Sequence, residues 1–338
     1  MAILRHIIPI LLASILSTGC SEIFDPQVDT EPLLCINSLI IAGEPIEVEV
    51  THTWMFNDKK SEENHDVIDA TVTIFANDRV VASDYLPKEG DKIRIVADSP
   101  TYGSATGEVT VPYATPIGNV KFTPIVTDTW KYNDFYDLDM YAGVKFNLNV
   151  EVSVNDPAGT DNFYRFGYTN NNDETAEDPD DDTWFSEFPQ GFSMGSFDFD
   201  SEPIFKEHIG VFESVMGSDL YTYFLYFSDR QFSGKTYTLH LNFSDNTFVV
   251  YSQDYDESLL DCYIELYLAT VSQSYYNWAV YKWYVDAGFT GDLSEIGLAE
   301  SKWGYSNVST GAGVVAAQSS AKYTINLKDF LKTTLNNI

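Results

Sequence analysis

Between Asp173 and Asp182, seven of ten side chains are carboxylates, which is chemistry suited to holding a cation. Ca²⁺ takes six to eight oxygen ligands, and Asp178, Asp180, Asp181 and Asp182 are the candidates for a weak site. The order is not that of an EF-hand, since no glycine stands at the sixth position and no glutamate at the twelfth. Self-repulsion at this density fits a solvated loop equally well. The groups Asp134, Asp137, Asp139 and Asp198, Asp200 admit the same two readings. Beyond the leader the histidines are His52, His65, His208 and His240, with no metal-ligand spacing between them. His240 alternates within a strand pattern and reads as a polar-face residue. There is no His-Glu-x-x-His, and Gly311-Ala312-Gly313 lacks the third glycine of a nucleotide loop. A turn or a close backbone approach is expected there instead. No catalytic residue, metal ligand or cofactor is assigned beyond the candidate Ca²⁺ loop. Acidic pairs for glycoside hydrolysis are numerous among 51 acidic residues, but their separation is not legible in sequence.

One residue has a chemistry set by its neighbours. Ile7 to Leu16 is an apolar run that matches a signal-peptide core and is too short to span a bilayer. Leu16-Ser17-Thr18-Gly19-Cys20 follows, small residues leading to a thiol, as a lipoprotein peptidase requires. The expectation is a leader over residues 1–19, lipidation of Cys20, and a polar tether over 20–31. Lipid on Cys20 would then be the attachment to an outer membrane, with display at the cell surface.

The formal net charge is −32 and the pI near 4.2, which repels phosphate and argues against nucleic acid as a partner. Aromatic residues make up 15% of the 338, a composition that leans toward β structure. They suit a sandwich core, or an exposed platform for sugars or peptides. Cys35 and Cys262 each sit in an apolar strand-like run and read as small buried hydrophobes, although an export compartment would permit a bridge.

These groups need elements to hold them, and the alternation is that of strands. Residues 46–51, 70–75, 80–81, 92–96 and 107–111 predict an immunoglobulin-like β-sandwich over 32–113. Pro112 and Pro116 punctuate the chain, and a larger β-rich domain is expected over 117–338. Its strands are expected at 120–124, 144–152, 162–168, 221–227, 235–243, 247–251 and 262–269, with loops over 128–139 and 169–203. Arg165, in an aromatic strand, is expected to meet a carboxylate. Ser272 reads as the N-cap of one amphipathic helix, with Tyr276, Ala279, Val280, Trp283 and Ala287 on one face and Gly288 as terminator.

Several segments recur in a familiar order. They are Leu34-Cys35-Ile36, Gly43-Glu44-Pro45-Ile46, Asn162-Phe163-Tyr164-Arg165-Phe166, the run Phe227 to Tyr237, Val271-Ser272-Gln273-Ser274-Tyr275-Tyr276, and the closing run Ser306 to Val314. Together with the cysteine at residue 20 they resemble the Bacteroidota lipoprotein family known as domain of unknown function 4249. The resemblance implies an N-terminal immunoglobulin-like domain and a larger β-rich domain. It also implies an accessory role beside a TonB-dependent outer-membrane receptor, and no known reaction. Three functional readings stand: a non-enzymatic accessory or binding lipoprotein, a structural adhesin or fimbria-like component, and a surface glycan-active enzyme.

Overall fold

Period-two alternation turns one set of side chains toward a core, and sheets close where two such faces meet. A computed structural model describes residues 31–54, 65–82, 84–133, 140–170, 192–193, 196–198, 202–207, 225–251, 262–286 and 304–338. The strands in chain order are β1 (Leu34–Ile41), β2 (Glu49–His52), β3 (Thr71–Ala76), β4 (Arg79–Val81), β5 (Lys92–Ser99), β6 (Gly103–Thr110), β7 (Ile117–Asn133) and β8 (Met140–Asn155). They continue with β9 (Phe163–Asn170), β10 (Phe192–Ser193), β11 (Ser196–Phe197), β12 (Tyr226–Ser228), β13 (Thr236–Tyr251), β14 (Tyr263–Val271), β15 (Val308–Ser309) and β16 (Val315–Asn326). Helix α1 (Gln273–Asp286) follows β14, and α2 (Lys328–Leu335) follows β16. The chain is mainly β, as its alternation predicts.

Three sheets form. The first runs β12-β9-β14-β16-β1-β2, the second β10-β13-β8-β7 with β11 also on β13, and the third β15-β6-β5-β3-β4. In β5, Ile93, Ile95 and Ala97 are buried while Lys92 and Asp98 face out, the pattern of a half-buried strand. The β3–β4 hairpin turns on Asn77 and Asp78, both at positive φ (51° and 63°), as a tight primed turn demands.

The first sheet is the wall against which the others lie. Val315 and Ala317 of β16 join an aliphatic core with Leu34, Ile36, Ile40, Ile93 and Ile95. Ile325, on the same face of the same strand, joins an aromatic core with Phe146, Phe166, Phe227, Phe243 and Phe248. Ala316 points the other way, to Tyr275 and Tyr276 of α1. Residues Leu33–Ile338 form one compact unit, and strands from both sides of residues 113–117 share a sheet: β1 runs parallel to β16, Ser38 opposite Val315.

Several details differ from the sequence expectation. Residues 128–133 continue β7 rather than opening a loop, because they pair in register with β8 as far as Asn133 opposite Met140. The two runs at 235–243 and 247–251 are one strand, interrupted by a bulge between Phe243 and Asn246 where Asp245 takes φ 61°. Within 169–203, β10 and β11 pair with β13. Among the described residues a second α-helix joins the expected one; α2 buries Leu331 and Leu335 against the aromatic core. Ser272 caps α1 as expected, its Oγ accepting from the Tyr275 N–H at 3.2 Å. Of the expected helical face, Tyr276, Ala279 and Trp283 are buried, Val280 is half-buried, and Ala287 and Gly288 lie outside the described residues.

Candidate functional site

Segments far apart in sequence meet where the closing run 304–314 crosses β1 and the start of α1. Gly313 sits at φ 104°, and a Cβ there would come within 2.2 Å of the Ile36 carbonyl oxygen. At Gly311 a Cβ would meet the Leu34 carbonyl oxygen at 2.4 Å. These glycines therefore serve a close backbone approach, and the Ala312 N–H between them donates to Leu34 at 2.9 Å. Asn307 reads the backbone of Val315 like a neighbouring strand: its Oδ1 accepts from the amide at 2.9 Å and its Nδ2 donates to the carbonyl at 2.8 Å. Ser274 Oγ donates to that same carbonyl at 2.9 Å. The Ser272 hydroxyl that caps α1 also accepts from Ala317 N–H at 3.0 Å, fixing the helix on the sheet.

Beside this junction α1 leaves part of the sheet uncovered, and a groove of about 360 Å³ opens there. Tyr275 and Trp278 of α1 line it with Leu39, Val314 and Ala316 of the sheet, while Asn37, Ser38 and Glu49 supply polar groups. Asn37 Oδ1 accepts from Val314 N–H at 3.2 Å, and its Nδ2 faces Glu49 Oε2 at 3.4 Å. Leu39 is 40% exposed in the groove. An apolar concavity with a few placed amide and carboxylate groups is the composition of a binding site. It suits a ligand with one apolar face and hydrogen-bonding edges.

Behind the groove, phenols and carboxylates tie the aromatic half together. Tyr164 Oη donates to Asp156 Oδ1 at 2.5 Å, while Asp156 Oδ2 accepts from Gly234 N–H at 2.7 Å. Tyr237 Oη donates to Glu202 at 2.6 Å, and the His240 N–H donates to the same carboxylate at 2.7 Å. Glu207 accepts from Tyr276 Oη, from the Ser228 amide at 2.7 Å and from the Ser228 hydroxyl at 3.0 Å. Burial first, and the hydrogen bond to a carboxylate second, push the Tyr164, Tyr237 and Tyr276 hydroxyls well above the usual phenol range. Asp229 is only 2% exposed, and its Oδ2 has no hydrogen-bond partner among the described residues. Burial, with Asp156 and Asp161 nearby, raises its carboxyl above the ordinary value.

The residues singled out by sequence fare unevenly. Cys20 and the candidate cation loop, Asp178, Asp180, Asp181 and Asp182, lie outside the described residues, as do Asp134, Asp137, Asp139 and Asp200. Asp198 is exposed beside β11. No group of three or more His, Cys, Asp or Glu side chains among the described residues is arranged to hold a metal ion. Cys35 and Cys262 are both buried and not joined in a disulfide, and burial raises the Cys35 pKa. Arg165, expected beside a carboxylate, is exposed with its guanidinium 5.8 Å from the centre of the Tyr226 ring. His240 is exposed on its strand, as read. The groove residues Asn37, Leu39 and Glu49 carried no signal beyond strand alternation. Trp278 stood in the helix, but only the fold turns it toward β1.

No curated protein and no solved structure matches the chain. The model of one family, described as a domain of unknown function, DUF4249, matches residues 21–324. That span contains each of the segments that converge at the groove, and the chain belongs to the DUF4249 family.

Proposed function

We propose that this is a lipid-anchored outer-membrane protein, held through Cys20 and displayed at the cell surface, that binds a partner rather than transforming it. It assists a TonB-dependent receptor, the role that the resemblance implied. The groove carries the reading: Tyr275, Trp278 and Leu39 give an apolar floor and wall, and Asn37 and Glu49 a polar edge. Such a surface suits recognition of a partner with one apolar face and hydrogen-bonding edges. The leader and Leu16-Ser17-Thr18-Gly19-Cys20 support the anchor.

The adhesin reading has one structural feature in its favour, the seventeen-residue β7, which is an edge strand of its sheet among the described residues. That edge is blunted by Pro124, by register shifts at Ile117/Val120 and Val126/Asp128, and by Lys121 and Lys131, devices that discourage strand addition. The test is affinity purification of the tagged chain from its native outer membrane. A β-barrel transporter should co-purify, with several-fold less recovered by Trp278→Ala. Recovery of the chain alone would overturn the accessory role. Cys20→Ala, moving the protein to the soluble fraction, checks the anchor separately.

A further inference from the structure

We infer that the end of the aliphatic sandwich where the chain enters at Leu33 rests on the surface of a zwitterionic bilayer; this builds on the anchor at Cys20. Leu33 is fastened to that end by two hydrogen bonds with Thr53, its amide donating to Oγ1 at 2.8 Å and its carbonyl accepting from the Thr53 N–H at 2.9 Å. Next to Thr53, the Trp54 ring stacks on His65 with centroids 3.9 Å apart. His65 meets His52 edge-on at 5.0 Å, and His52 stacks on Tyr102 at 4.9 Å. The adjoining turns are bound together, Ser99 and Thr101 hydroxyls donating to the two oxygens of Asp69 at 2.9 Å each. Ile68, beside Asp69, is 98% exposed; Trp54 is 49% exposed and Leu33 46%.

Large apolar side chains, a tryptophan and rings with one polar edge thus crowd one end of the unit. Side chains that are apolar in body and polar at the tip concentrate at membrane–water boundaries. The location matters as much as the composition. Residues 21–32 separate Cys20 from Leu33, a span of about 45 Å at full extension, so the anchored chain enters the folded unit through this end. A tether makes the contact intramolecular, so a patch too small to hold a free protein on lipid suffices for an anchored one. Asp66, Asp69 and Asp98 lie at the same end, and with the net charge of −32 they exclude anionic headgroups. That selects a zwitterionic surface.

The test uses the mature lipidated chain in vesicles of phosphatidylcholine and phosphatidylethanolamine whose acyl chains are brominated near the headgroup. Bromine quenches tryptophan on contact, and the signal lost in Trp54→Phe is that of residue 54. The native chain should lose a measurable share of its emission, while Trp54→Phe and Ile68→Asp, each with native melting behaviour, lose at least threefold less. Equal quenching of native chain and Trp54→Phe would overturn the inference. A second arm holds the chain from residue 21 onward on nickel-chelating lipid through an N-terminal histidine tag. Quenching there with no membrane association of the native chain would sink the anchor and leave the patch standing; no quenching in either arm would sink the patch.

Discussion

The two cores that share the first sheet solve the same packing problem with different materials. The one enclosed by the third sheet is aliphatic: its buried members are leucine, isoleucine, valine and alanine, with Tyr85 and Tyr102 only at the margin. The one enclosed by the second sheet buries Phe146, Tyr164, Phe166, Phe205, Phe227, Phe243 and Phe248, and it has the carboxylates of Asp156 and Glu202 within it. Branched aliphatic chains on short strands interdigitate without polar atoms. Tyrosines bring hydroxyls that need acceptors once buried. Tyr164, Tyr237 and Tyr276 each find a carboxylate. The comparison shows that acidic composition is not all surface: part of it is the hydrogen-bonding counterpart of an aromatic interior.

The hardest blow to that contrast is Phe146→Ala, which should cost about 3–5 kcal/mol, against about 0.5–1.5 kcal/mol for Ile95→Val in the aliphatic core. Because β16 belongs to both cores, calorimetry should show one transition lowered by either change. A variant that melts in two separate steps would break the picture of a shared wall. A middle-sized effect separates the cores by chemistry. Tyr164→Phe strands a carboxylate oxygen of Asp156 and should cost about 1–3 kcal/mol near neutral pH. Unfolded tyrosine titrates near 10, and the folded hydroxyl of Tyr164 titrates higher. Its contribution is therefore complete below pH 10 and is lost as the pH rises beyond it. Urea melts at pH 9 and pH 11 should show the gap between native and variant narrowing; an unchanged gap would contradict the assignment. The smallest effect has the opposite sign. Burial raises the Asp229 carboxyl pKa in the fold, so ionising it costs stability as pH rises above about 3.9, the unfolded value. Asp229→Asn should raise stability by up to about 1 kcal/mol at pH 7 and by nothing at pH 3, measured by thermal melts at both.

The aliphatic core was the more legible of the two. Lys92-Ile93-Arg94-Ile95 and Asn77-Asp78 state a strand and its neighbour's turn through local rules alone. The aromatic core was harder, because β13 carries a bulge at Asp245 that splits its alternation into two apparent strands, and β7 runs on through a polar, exposed stretch. β16 escaped notice for a related reason. Val315-Ala316-Ala317 shows no alternation because both of its faces are covered, and the residues after it are small and polar. Ser272 announced its helix, yet the groove beside that helix depends on pairings between residues nearly three hundred positions apart, which no local pattern encodes.

The parallel pairing of Ser38 with Val315 also sets an order of assembly during synthesis. β1 leaves the ribosome well before its sheet partner β16. Until the closing segment arrives, Leu34, Ile36 and Ile40 lack Val315 and Ala317, and Ile264, Leu266 and Leu268 lack the strand that joins β14 to β1. Long-range closure of this kind is slow. The first sheet therefore closes only once β16 is in place between β14 and β1.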